Sequence, residues 1–214
     1  MQYLHMKNFQ VKSLWGNIEM NKLMGFLELQ NMNLPSVPWK EYKGNEELQE
    51  DLLWTIRSAV FRGNDLNLPR LVGADAIEAK EFADELLQQM KDKGMVLFYP
   101  YFVANKSGTL EVRRNRVIIE AVKDDLWNMV TYSDRNVTIQ YQNEKEEIDG
   151  DEKFLSEEEK HKILNAVKEI KRIFRDDLLE DKSILLEWSF AQNCNKSKEP
   201  TGEEYIVFYE ARTV

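Results

Sequence analysis

The chain has one cysteine and two histidines in 214 residues. A lone Cys194 excludes an internal disulfide, and in a polar segment without a neighbouring base it reads as incidental rather than as a nucleophile. His5 near the terminus and His161 among charged residues give little from which to build a His-rich zinc site or a Ser-His-Asp triad. No apolar stretch approaches the ~18 residues of a membrane span, and residues 1–10 have no continuous apolar core like that of a signal peptide. A cytoplasmic protein without membrane contact is the expectation. Positive charge is also short: the net charge of −9 argues against nonspecific binding to nucleic acid or anionic lipid. The chain shows no internal repeat and no low-complexity segment.

Hydrophobic residues make up 43% and charged residues 31%, the ordinary balance of a soluble globular protein. The length suits one larger domain or two small lobes. Periodicity predicts a strand near Phe9–Trp15 and then a helix over about 19–32, with Leu23, Phe26, Leu27 and Gln30 as its apolar stripe. A strand over 52–61 contains Arg57. Asp75 is a candidate N-cap for a helix that Gly94 stops, with Ile77, Phe82, Leu86 and Met90 facing its core. Strands follow at 95–104, 109–113, 116–123, 128–132 and 137–142, and 144–153 reads as a charged connection. Ser156 and Glu159 form a capping box for a helix with Ile163, Val167, Ile170 and Phe174 on its apolar face; Lys160 falls in the charged, solvated face. The order is α+β, with an N-terminal lobe over 1–94 and a larger antiparallel β lobe over 95–214.

Two C-terminal strands, 184–190 and 205–212, each carry one carboxylate in an apolar run, Glu187 and Glu210. A partly desolvated carboxylate needs a cation, a metal or good donors. By alternation Glu187 shares a face with Leu185 and Ser189, and Glu210 one with Phe208 and Arg212. If the strands pair, the two carboxylates can converge on Mg²⁺, which takes one or two carboxylates beside nucleotide phosphates. Alternatively, Glu210 pairs with Arg57 or Arg212 as structural glue.

Several segments, in order, resemble the ATP-grasp nucleotide-binding region of phosphoenolpyruvate synthase and pyruvate phosphate dikinase. Thr55-Ile56-Arg57-Ser58-Ala59 is similar to that family's V-R-S-S-A, Val117-Ile118-Ile119-Glu120-Ala121 to its V-I-E-A, and Leu185-Leu186-Glu187-Trp188 to its D-I-E-W. Residues 205–212 resemble the closing Y-I-L-Q-A-R-P, and 34–38 the L-P-V-P after the first helix. The resemblance implies an ATP-grasp-like fold that binds ATP and Mg²⁺. It assigns Arg57 and Lys22 to the phosphates, Glu187 and Glu210 to the metal, Glu120 to the metal or ribose, and aromatics such as Phe98 and Tyr99 to the base.

The departures are as specific. The family's phosphate-binding lysine is replaced by Ile18, with Lys22 one turn later; its last-strand glutamine is Glu210; no clear second phosphate arginine exists, Arg62 and Arg70 being candidates. The phosphohistidine and pyruvate domains of those enzymes are not in this sequence. A phosphotransferase of this kind would need a partner protein carrying a phosphohistidine domain. Two alternatives stand beside it: an ATP-dependent ligase acting through an acyl phosphate, and an interaction protein that kept the fold and lost nucleotide binding.

Overall fold

The computed structural model describes residues 22–62, 68–132 and 135–214. The strand expected near Phe9–Trp15 lies outside them. Two antiparallel sheets organise the described chain. The first has the order β1-β4-β2-β3, from β1 (Lys40–Tyr42), β2 (Trp54–Val60), β3 (Arg70–Ala74) and β4 (Gly94–Pro100). The second has the order β10-β9-β5-β6-β7-β8. Its strands are β5 (Phe102–Val112), β6 (Arg116–Lys123), β7 (Val137–Gln142), β8 (Lys145–Gly150), β9 (Ile184–Cys194) and β10 (Pro200–Thr213). The α+β class is as expected.

Each sheet has a helix on its outer face. Asp75 caps α2 (Ala76–Met90) by accepting from the backbone N–H groups of Ile77 and Glu78. Ala79, Ala83, Leu86 and Met90 of α2 then bury Trp54, Ile56, Val96 and Phe98. Ile77, expected in that core, is 71% exposed, because small Ala79 and Ala83 set the packed stripe instead. On the second sheet, α4 (Glu157–Ile173) starts with the expected Ser156/Glu159 capping box. It lays Ile163, Ala166 and Ile170 on Leu110, Ile119, Ile184, Leu186 and Trp188. Lys160 is buried rather than solvated, its ammonium bound by Glu157 and Glu146.

The inner faces of the two sheets meet. At one end α1 (Lys22–Asn31) and the 35–39 segment fill the gap: Phe26, Val37 and Trp39 pack with Ala59, Leu97, Ala191 and Val207. Helix α1 buries Phe26 and Leu29, and Met32 just past its end is buried too, whereas Leu27 is exposed. Gly25 explains its close approach, since a Cβ there would run into the Ala211 carbonyl. The chain passes between sheets at Tyr101, because β4 pairs with β1 and β2 while β5 pairs with β6 and β9. The change of sheet thus falls at Tyr101, and the strand expected over 95–104 is two strands.

Three further elements differ from expectation. Residues 127–132 form a short helix, α3 (Trp127–Tyr132), instead of a strand, opened by the Asp125 carboxylate accepting the Trp127 N–H at 2.8 Å. The charged connection after 142 is the edge strand β8, reached through a two-residue turn in which Asn143 and Glu144 both have positive φ. Residues 105–108, which fall between the expected strands 95–104 and 109–113, are part of β5, and at Gly108 the Trp188 ring and the Glu120 carbonyl occupy the space a Cβ would need. Helix α5 (Arg175–Leu179) completes the set.

Candidate functional site

Beyond the apolar seal, the inner faces enclose a cleft of about 510 Å³. The first sheet supplies Thr55 and Arg57 from β2, Arg70 and Val72 from β3, and Tyr99 from β4. The second supplies Glu187 and Ser189 from β9 and Tyr209, Glu210 and Arg212 from β10. Tyr101 and Phe102 form the wall at the crossover, and Asp125 and Trp127 the opposite lip. Strand alternation sorts these residues: Ile184, Leu186, Trp188 and Phe190 point to α4, which leaves Glu187 and Ser189 on the cleft face.

Glu210 arrives there differently from the sequence expectation. Phe208 pairs with Trp188 and Glu210 pairs with Glu187, so Tyr209 is an extra residue, a β-bulge. Phe208 and Ala211 therefore both face α4, and Tyr209 and Glu210 both face the cleft. Simple alternation, which groups Glu210 with Phe208, fails at this bulge. Its outcome is that Glu187 and Glu210 stand directly opposite each other on neighbouring strands.

Two carboxylates at such a position repel. Arg57 answers them from the other sheet: its guanidinium donates to Glu210 at 2.9 Å and lies over the Phe26 ring at 5.3 Å. Glu210 is 1% exposed and Arg57 9%. Burial lowers the Arg57 pKa, but Tyr99, Glu210 and Glu187 outweigh it and hold the group above its ordinary value. Arg57 is thus a fixed cation. Burial pushes the hydroxyls of Tyr99 and Tyr209 up, that of Tyr209 further because the Glu187 charge lies beside it. Ser189 shares a 2.8 Å hydrogen bond with Ser107, whose hydroxyl also bonds the Asp124 carbonyl.

The other residues predicted from sequence divide. Tyr99 lines the cleft. Phe98 does not: it packs against Tyr42 and Trp54 on the α2 side, as its neighbour's opposite orientation requires. Glu120 lies two strands from Glu187, through Thr109, and is taken up by Arg135 and the Thr109 hydroxyl, outside the cleft lining. Lys22 is the first residue of α1, and its side chain lies outside the described residues. Of the two candidate second arginines, Arg70 lines the cleft directly opposite Arg57 on the neighbouring strand, and Arg62 does not line it.

Sequence reasoning missed Tyr209 because of the bulge, and Asp125 and Trp127 because they fall between two expected strands, 116–123 and 128–132, the second of which is α3 instead. Trp127 is 51% exposed, and Arg70 stacks over its ring at 4.8 Å, joining the two lips. In sum, three arginines (Arg57 and Arg70 from the first sheet, Arg212 from the second) and three carboxylates (Asp125, Glu187, Glu210) line an aromatic-walled space. Among the described residues no group of three or more His, Cys, Asp or Glu could hold a metal ion. Any metal here would rest on the Glu187/Glu210 pair, a donor set that fits Mg²⁺ sharing its other positions with phosphate and water. No histidine, cysteine or lysine is among the described residues that line the cleft, and no described helix is long and apolar enough to cross a membrane.

No family model and no curated protein matches the chain. Solved structures with partial similarity include an L-amino acid ligase from Bacillus licheniformis, at 15% identity and a TM-score of 0.45 over 90% of this chain and 39% of that one. Another is an N5-carboxyaminoimidazole synthetase from Staphylococcus aureus, at 9% identity and a TM-score of 0.40 over 90% of this chain and 43% of that one. The chain spans about two fifths of the length of each.

Proposed function

We propose that the cleft binds a nucleoside triphosphate, ATP, as its Mg²⁺ complex, and that the chain is an ATP-binding protein of the ATP-grasp type. The observation that carries this reading is the opposition of Glu187 and Glu210 on one wall to Arg57 and Arg70 on the other. Phosphoryl transfer asks a protein chiefly to position phosphates and neutralise charge. Arg57, Arg70 and Arg212 supply planar forks for phosphate oxygens. Glu187 and Glu210 would hold Mg²⁺, whose contribution is to neutralise charge building on the phosphates. Tyr99, Tyr101 and Phe102 offer apolar faces for a base, and the cleft volume falls within the ~300–1,000 Å³ of small-ligand pockets.

Two reactions fit such a site. A phosphotransferase would need a partner protein that brings a phosphohistidine, because no histidine is among the described residues that line the cleft. That same observation favours the second, an ATP-dependent ligase acting through an acyl phosphate, which needs no histidine carrier. Release of ADP that depends on an added acceptor supports the ligase; AMP together with a phosphorylated partner supports the phosphotransferase. The nucleotide reading itself is tested by calorimetry and thermal melts with ATP and Mg²⁺, since a ligand that binds only the folded state raises Tm. Absence of binding at millimolar nucleotide rejects it and leaves an interaction protein on an ATP-grasp-like fold.

A further inference from the structure

Arg57 is the most buried of the three arginines that line the cleft, yet in this structure its guanidinium is already bonded to Glu210. Glu210 stands opposite Glu187, and both carboxylates help to hold the charge on Arg57. Drawing Arg57 onto a bare phosphate would take from buried Glu210 the guanidinium that donates to it, with Glu187 directly opposite. A divalent cation removes the obstacle, because it takes over both carboxylates and leaves Arg57 to a phosphate. A cation and an arginine then exchange partners.

We infer that Glu210 determines specificity for metal-loaded over metal-free polyphosphate, by holding Arg57 until a divalent cation takes the Glu187/Glu210 pair. The inference rests on the nucleotide reading above and deepens it. Residue type decides the behaviour: a neutral glutamine at 210 could hydrogen-bond Arg57 but would leave its charge available to an anion. The sequence as it stands therefore couples anion affinity to the metal, and that coupling is a property of one side chain.

The test is calorimetry with ATP and with inorganic tripolyphosphate, each in excess Mg²⁺ and in EDTA, on the full chain. Wild type is expected to bind both at least 100-fold more weakly in EDTA. Glu210→Gln is expected to bind tripolyphosphate in EDTA at least tenfold more tightly than wild type does, and to lose most of the gain from Mg²⁺. Glu187→Gln, which leaves the Arg57–Glu210 pair in place, is expected to stay weak in EDTA and to gain less from Mg²⁺ than wild type. That second variant decides the matter if Glu210→Gln does not fold. Equal wild-type affinity with and without metal overturns the inference while leaving the nucleotide reading intact, as does a Glu187→Gln protein that binds tightly in EDTA. Unchanged metal-free affinity in folded Glu210→Gln also overturns it. Failure of wild type to bind either anion in either buffer rejects both readings together.

Discussion

The two faces of the six-stranded sheet come from the same residues taken alternately, and they carry opposite burdens. Toward α4 the strands present Leu110, Ile119, Leu186, Trp188 and Phe190, all essentially inaccessible. Toward the other sheet they present Ser107, Glu187, Ser189 and Glu210, which are polar and mostly buried as well. The difference teaches where stability and chemistry are divided. Apolar burial on the α4 face, at roughly 25 cal/mol per Å², allows the cleft face to hold desolvated charge that costs stability.

The comparison is sharpest at Trp188, which touches Phe190 edge-on and fills the space left by Gly108. Trp188→Ala should cost close to the upper end of the ~3–5 kcal/mol seen for aromatic truncations in cores, measured by urea denaturation. If it costs under ~1 kcal/mol, the α4 face is not the stabilising one. On the cleft face the largest effect is expected from Arg57→Met, which removes the guanidinium that donates to buried Glu210. A loss of about 3 kcal/mol is expected in the protein without ligand, and urea titration without nucleotide measures it.

A smaller effect lies at the edge of the α4 face, where Lys106 of β5 binds Glu159 at 2.7 Å. Burial raises the Glu159 carboxyl, but Lys106 and the Ser156 hydrogen bonds outweigh it and hold the group below its usual value. A carboxylate lowered on folding contributes stability above its unfolded pKa of about 4.3, and loses it as pH falls through the lower folded value. Glu159→Gln keeps the capping geometry and removes the charge. It should cost about 1 kcal/mol at pH 7 and nothing at the acid end, so its denaturation midpoint and that of wild type should converge below pH ~4. The smallest change is expected from Glu187→Gln, within about 0.5 kcal/mol of wild type in the absence of ligand, because losing a hydrogen-bonding charge is offset by relief of repulsion from Glu210. A loss as large as that of Arg57→Met would make Glu187 a structural partner and remove it as a metal ligand.

Most of the sheets was legible from sequence. The alternation in 116–123 and 137–142 marks β6 and β7 at their observed bounds, and Ser156/Glu159 marks the start of α4, because these signals are local. The site was legible where it depended on one strand: Arg57 and Glu187 needed only period-two alternation. It was illegible where backbone irregularity intervened. The extra residue at Tyr209 reverses the face assigned to Glu210, and Asn143-Glu144 adopts positive φ without a glycine to announce it. Lys160 and Phe98 show the other limit. Whether a helix charge is solvated depends on Glu146 arriving from β8, and which aromatic faces a cleft depends on where the second sheet lies, so neither is written in local pattern.

The bulge in β10 has a consequence for how this strand tolerates change in length. Phe208 and Glu210 already have consecutive partners, Trp188 and Glu187, on β9. Deleting Tyr209 outright would close the ladder into regular pairing without turning any remaining side chain to the other face. At almost any other strand position a one-residue deletion inverts everything beyond it. Tyr209 is therefore an insertion that is silent in phase: a phenol added to the wall of the cleft, removable whole, with Glu210, Ala211 and Arg212 keeping their directions.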